Sequence, residues 1–247
     1  MGSPIRRLPR YVILMLALGF LIGGCAMTRV KPEAFGKAKT YAIVSISAAP
    51  EAYASTPMGG TVSGLVKAAS SDSGYANAAD KLVKASVPIL YRELKKTKTL
   101  RLAAEETVIR SPAYARAKGS EPKVLWHRFL LADGYKYFPE QDDLTALAKT
   151  LRVDGVIIVN LTYTVGSSGV NLFGLLHLGT QRGVTRLDVT AIDRHGETVW
   201  RDSVSGKSDD SIGAIGESAN FVKLHPLFLN ATEHAVQDLV ARLEQRI

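Results

Sequence analysis

Apolar and polar positions change period several times along this 247-residue chain, and each change marks an expected element. Residues 11–22 (YVILMLALGFLI) are continuously apolar. As a helix they would rise about 18 Å, short of a hydrocarbon core of about 30 Å. Residues 26–39 carry no periodicity and read as a tether. Tyr41–Ser47 (YAIVSIS) is a near-continuous apolar run, the pattern of a strand covered on both faces. Residues 50–77 are rich in Gly, Ser and Ala and read as a long loop, within which 58–69 (MGGTVSGLVKAA) is a second candidate contact element. Ala79, Val83, Val87, Leu90 and Leu94 then recur at helical spacing, which predicts a helix over 78–96, kinked at Pro88.

A short strand is expected over 100–103. Residues 105–140, broken by Pro112, Pro122 and Pro139, read as irregular, with one short helix around 126–131. Asp142 or Asp143 is the candidate N-cap of a helix bearing Leu144, Leu147, Ala148 and Leu151, which leads through Asp154-Gly155 into a strong strand over 156–165. Residues 184–193 alternate. Leu187, Val189 and Ala191 face one way and Arg186, Asp188 and Thr190 the other, so one face is expected to be buried. Arg194-His195-Gly196 turns the chain into an antiparallel strand over 197–207. A Gly-rich loop over 209–220 and a terminal helix starting near Pro226 complete the pattern. Phe228, Ala231, Val236, Leu239, Val240 and Leu243 form that helix's apolar face. The order β-α-β, then α-β-β-β-α, predicts a single α/β domain over residues 40–247, a mixed β-sheet flanked by helices.

One connection departs from the polar norm. Residues 166–183 (GSSGVNLFGLLHLGTQRG) crowd Val170, Leu172, Phe173, Leu175, Leu176 and Leu178 between Gly and Ser hinges. An apolar loop needs a cover or a partner. Either it folds back on its own domain, or Leu172, Phe173, Leu175, Leu176 and Leu178 meet a membrane or another subunit. As spanning strands, which need about 9–11 residues each, eighteen residues barely make one pair.

Composition narrows the class. Hydrophobic residues make up 46% and charged residues 22%, which argues against wholesale disorder or a fibrous repeat. A single short apolar stretch excludes a polytopic transporter. With one cysteine there is no intramolecular disulfide framework and no thiolate cluster for zinc or iron–sulfur. Arg6, Arg7 and Arg10 form a basic front ahead of the apolar run, and Gly23 and Gly24 close it, the parts of an export signal over residues 1–24.

Ile22-Gly23-Gly24-Cys25 resembles the lipobox of bacterial lipoproteins. The resemblance implies that Cys25 takes a thioether-linked diacylglycerol and becomes the new N-terminus, so that residues 25–39 form a lipidated tether. Ala26 stands where an Asp would retain a lipoprotein at the inner membrane, which implies an outer-membrane anchor with the domain facing the periplasm. The formal charge of +8 falls to +5 without the three arginines of the leader, too mild for a nucleic-acid footprint. Lys95, Lys96 and Lys98 read as solvated charges at a helix end.

The element order, with Tyr41–Ser47, Leu147–Val156, Leu187–Asp193, Gly196–Trp200 and the terminal helix, is similar to a group of envelope lipoproteins with a domain like the N-terminal domain of the Tol translocation protein. The group includes the curli-secretion channel lipoprotein and lipoprotein activators of penicillin-binding proteins. It implies a fold and carries no active site across.

No G-x-S-x-G, G-x-x-x-x-G-K-[ST], G-x-G-x-x-G or H-E-x-x-H occurs. His127, His177, His195, His225 and His234 are scattered, His195-Gly196-Glu197 reads as a turn, Asp209-Asp210 as solvated carboxylates, and Trp200 as a core residue beneath the terminal helix. The expectation is a non-enzymatic, lipid-anchored envelope protein without cofactor or metal. It would work in assembly, secretion or interaction through an envelope partner or its own oligomer, without nucleic acid. The alternative is a subunit of an oligomeric outer-membrane secretion channel.

Overall fold

The computed structural model describes residues 28–36, 39–49, 53–55, 73–124, 127–140, 142–172, 176–215 and 221–247. In chain order the strands are β1 (Arg29–Val30), β2 (Thr40–Ala48), β3 (Tyr53–Ser55), β4 (Arg101–Leu102), β5 (Lys123–Val124), β6 (His127–Arg128), β7 (Leu130–Leu131), β8 (Gly155–Leu172), β9 (Leu176–Asp193), β10 (Thr198–Lys207) and β11 (Ile212–Ile215). The helices are α1 (Ser73–Leu94), α2 (Glu105–Ile109), α3 (Pro112–Arg116), α4 (Thr145–Leu151) and α5 (Phe221–Glu244). The main sheet runs β1-β10-β9-β8-β2-β4, with β11 beside β9, β3 beside β8 and β7 beside β2. β8 pairs parallel with β2 and antiparallel with β9, so the sheet is mixed. This is the α/β architecture expected from the element order.

Apolar pattern explains the layering. β2 is buried from Tyr41 to Ala48, as a strand between two covered faces must be. On one face α1 and α5 close over the larger core, which includes Ile43, Ile157, Leu187, Trp200, Leu90 and Leu239. On the other, α2, α3 and α4 cover a smaller cluster around Val44, Val156, Ile158, Tyr114 and Leu147. The α1 stripe Ala79, Val83, Val87, Leu90 and Leu94 is buried throughout, whereas Pro88 is exposed. Pro226 is exposed as well, and both helices continue through their prolines on the water side, where solvent can take the carbonyl a ring leaves unbonded.

Register detail explains a buried tyrosine. Between Ile43 and Ser45, β2 slips against β8, leaving Val44 without a register partner there. The Tyr114 hydroxyl donates to the Val44 carbonyl at 2.8 Å and accepts from the Lys136 amide at 2.6 Å. A bulge that opens the ladder thus gains a side-chain partner.

Five local expectations change. Residues 29–35, read as part of a tether, dock on the domain: β1 pairs with β10, and Phe35 stacks on Tyr41 at 5.4 Å and meets Trp200 edge-on at 6.3 Å. Residues 105–116 hold two short helices; Pro112, read as a breaker, is the first residue of α3, and Ser111 accepts from the Tyr114 amide. The helix expected around 126–131 is instead extended at β6 and β7, and β7 pairs with Ser47–Ala48. The Gly-rich loop contains β11, paired with Leu178–Gln181. The terminal helix starts at Phe221, five residues before Pro226.

Truncating Phe35 tests the first correction. Phe35→Ala should cost about 3 kcal/mol, as for other buried aromatic truncations, and lower the urea midpoint accordingly. A free tether at this position predicts no change.

Candidate functional site

Residues 166–183, read as an apolar loop, are mostly strand. β8 and β9 keep one antiparallel register from Gly155↔Asp193 through Gly166↔Arg182, Ser168↔Thr180 and Val170↔Leu178 to Leu172↔Leu176. The segment is therefore the far end of a long hairpin. Its Gly and Ser positions, read as hinges, lie in the ladder. The lower half of the hairpin sits in the middle of the sheet. Higher up, β3 pairs with Thr164–Gly166 and β11 with Leu178–Gln181.

Register sorts the hairpin end into two faces, since paired residues share a side and successive residues alternate. Positions 166, 168, 170 and 172 fall with 176, 178, 180 and 182 on one face. The apolar positions 170, 172, 176 and 178 are thus together, with Ser168 and Thr180 next and Gly166 and Arg182 beyond them. Positions 167, 169, 171, 177, 179 and 181 (Ser, Gly, Asn, His, Gly, Gln) share the other face. The Ser168 and Thr180 hydroxyls are 2.9 Å apart and hydrogen-bonded, so each satisfies the other. Of the residues expected to make contact, Leu172, Leu176 and Leu178 fall on the apolar face, while Phe173 and Leu175 lie outside the described residues. So do Cys25, the leader and the 58–69 segment.

Below the hairpin end the α5 backbone rests directly on the sheet. A Cβ at Gly183 would stand 2.6 Å from the Leu227 carbonyl carbon, and one at Gly206 would stand 2.0 Å from the Ala231 carbonyl oxygen. The Thr185 hydroxyl donates to the Phe228 carbonyl at 3.2 Å, and Tyr163 and Ser86 share a buried hydrogen bond at 2.8 Å. Glu93 joins α1 to α5 at the other end: burial pushes its carboxyl up, but hydrogen bonds from Lys96, Arg92 and Gln237 outweigh this and hold it below the usual range.

The remaining polar clusters are internally paired. A groove of about 330 Å³ on the open face of β9 and β10 is lined by Glu140, Asn160, Arg186, Asp188, Arg201 and Ser203. Glu140 accepts from Thr190 and Arg201, and Asp188 from Arg186. Thr190 and Ile192 are buried, so this face of β9 is covered in part rather than left wholly to solvent. Asp209 pairs with His234 at 2.9 Å, which holds its carboxyl below the usual range, and its amide donates to Asn230. At the 194–196 turn the Asp193 carboxylate accepts from the His195 and Glu197 amides. Trp200 is buried in the larger core, on the face that α5 covers. Among the described residues no group of three or more His, Cys, Asp or Glu could hold a metal ion, and no helix is long and apolar enough to cross a membrane.

The sheet also fixes where the N-terminal segment leaves the body. β1 runs antiparallel to β10, with Arg29 opposite Arg201, and the Thr28 hydroxyl donates to the Asp202 carboxylate at 2.7 Å. The second Asp202 oxygen and the Trp200 indole nitrogen are buried without a hydrogen-bond partner among the described residues. Upstream of Arg29 the chain heads toward the Lys207 end of β10. That is the direction in which the hairpin projects, because Lys207 pairs with Val184. This docked strand was not legible in a stretch without periodicity.

No family model matches the chain, and no curated protein does. Among solved structures it is similar to a homologue of a neuraminyllactose-binding hemagglutinin from Helicobacter pylori. That pair is 7% identical over 91% of this chain and 89% of the other, with a TM-score of 0.38. It is also similar to the hypothetical protein CT253 from Chlamydia trachomatis, 10% identical over 84% and 94% of the two chains, with a TM-score of 0.33. At these values neither likeness bears on function.

Proposed function

We propose that the protein is a lipid-anchored bacterial envelope protein, acting without catalysis as an assembly, secretion-accessory or interaction module. Acyl chains on Cys25 hold it at the outer membrane, with the α/β domain facing the periplasm. The observation that carries this reading is the junction at Arg29. A basic, apolar and small-residue leader ends at the chain's one cysteine, and the folded body begins four residues later with β1 on the sheet edge. Four extended residues span about 14 Å at most, so the anchor holds the domain close to the bilayer rather than on a long leash. In the 330 Å³ groove Glu140, Arg186, Asp188 and Arg201 are engaged with one another or with Thr190, which supports the reading without catalysis.

A second reading, a subunit of an oligomeric secretion channel, is favoured by the hairpin, whose strands run 18 residues each. Two experiments test the pair. Inhibiting the lipoprotein signal peptidase with globomycin should accumulate an unprocessed precursor; unchanged processing contradicts the anchor. Crosslinking in cells, followed by mild detergent extraction, should give one defined adduct with an envelope protein. Ring-shaped particles in negative stain favour the channel instead.

A further inference from the structure

We propose that the far end of the β8–β9 hairpin lies in the interface of the same bilayer that holds Cys25, with the face bearing positions 170, 172, 176 and 178 turned to the acyl chains. This rests on the anchor reading above. Two independent observations lead to it.

The first is direction and length. Arg29 is level with Arg201, Thr190 and Ile158 across β10, β9 and β8. Leu172 and Leu176 stand fourteen residues beyond that level on their strands, about 46 Å at roughly 3.3 Å per residue. Thr28 leads off β1 in that direction, and the four residues from Arg29 to Cys25 reach about 14 Å at most. Along the strands the hairpin end therefore extends on the order of 30 Å past the farthest point the anchor can occupy. With the anchor seated and the hairpin end directed toward the bilayer, a hairpin of that reach either pierces the bilayer or lies along it. Open sheet edges are not tolerated in hydrocarbon, and beyond the β3 and β11 pairings the outer edges of 167–172 and 176–177 have no further strand partner among the described residues. Lying along the interface keeps those edges hydrated.

The second is the two-faced sequence. An interfacial element needs an apolar face toward the chains and a polar face toward water. Register supplies both: apolar at 170, 172, 176 and 178, and Ser167, Gly169, Asn171, His177 and Gly179 opposite, with the buried Gln181 below them. On the apolar face the Ser168–Thr180 hydrogen bond reduces the cost of moving two hydroxyls out of water. Arg182 shares that face, four residues beyond Leu178 or about 13 Å, and marks where the apolar stretch ends.

Acylation occupies the native thiol, so a second cysteine is a unique labelling site in the mature lipoprotein. The full-length acylated protein would carry Leu172→Cys, Leu178→Cys, Asn171→Cys, Gly179→Cys or Asp188→Cys, labelled with an environment-sensitive fluorophore. It would be reconstituted in phosphatidylethanolamine–phosphatidylglycerol vesicles with doxyl lipids quenching near the headgroups or near the chain ends. The expected result is a several-fold rise in emission at 172 and 178, quenched best near the headgroups, weaker at 171 and 179 and absent at 188. If the protein floats with the vesicles but 172 and 178 stay as aqueous as 188, the inference is overturned and the anchor stands. Emission that rises without lipid quenching overturns it in favour of a protein cover, and quenching strongest at the chain ends overturns it in favour of a spanning hairpin. Protein that does not float and bears a free Cys25 thiol removes the anchor reading and this inference together.

Discussion

Gly206→Val should destabilise the domain by about 3 kcal/mol, the upper end for an overpacked core. At this position a Cβ would stand 2.0 Å from the Ala231 carbonyl oxygen and 2.5 Å from the Ala235 amide nitrogen. Both atoms belong to the α5 backbone, so no rotamer change relieves the overlap. β10 cannot retreat either, because Gly206 and Lys207 are registered against Thr185 and Val184. Helix α5 has to lift, and Phe228, Ala231 and Ala235, all fully buried, lose contact with the sheet. Gly213→Ala is the control: its added Cβ meets nothing within 4 Å. Urea titrations should separate the two clearly. Equal midpoints would mean that α5 does not rest on β10.

The same contact shows how far the sequence could be read. The α1 and α5 stripes, the β2 run and the 156–165 strand are long, periodic and buried, and their type followed from spacing alone. What escaped was set by neighbours. Gly166, Ser167, Ser168 and Gly169 have the composition of a hinge, and only the β9 register makes them strand. Phe129-Leu130-Leu131 is too short an apolar run to distinguish helix from strand, and β2 decides it by pairing with β7. The Ser111-Pro112 pair did carry a helix-start signal, a capping residue before a proline at the first helical position. For β1, two paired residues and Phe35 give no period. The apolar residues at 170–178 were legible as unusual; their sorting onto one face required the register.

Cys25→Ser, made in a chain whose residues 1–24 are replaced by an ordinary cleavable secretory leader, should move the protein from the membrane fraction to the soluble fraction. Each buried CH₂ contributes about 0.8 kcal/mol, and one myristoyl chain is only marginally retained, whereas two or more chains anchor durably. The described face of the hairpin end offers four apolar positions, 170, 172, 176 and 178, too few to replace acyl chains. The serine variant should remain folded, because the docked segment begins at Thr28 and its bond to Asp202 is untouched. Thermal melting of the soluble variant should match that of the acylated protein extracted in detergent. Membrane retention of the variant would assign the attachment to another part of the chain.

Mass spectrometry of the N-terminal peptide from membrane-extracted protein tests the central claim most directly. A peptide starting at residue 25, heavier by a thioether-linked diacylglyceryl group, is the predicted result. A peptide that retains residues 1–24, or one with a free thiol at residue 25, would contradict it.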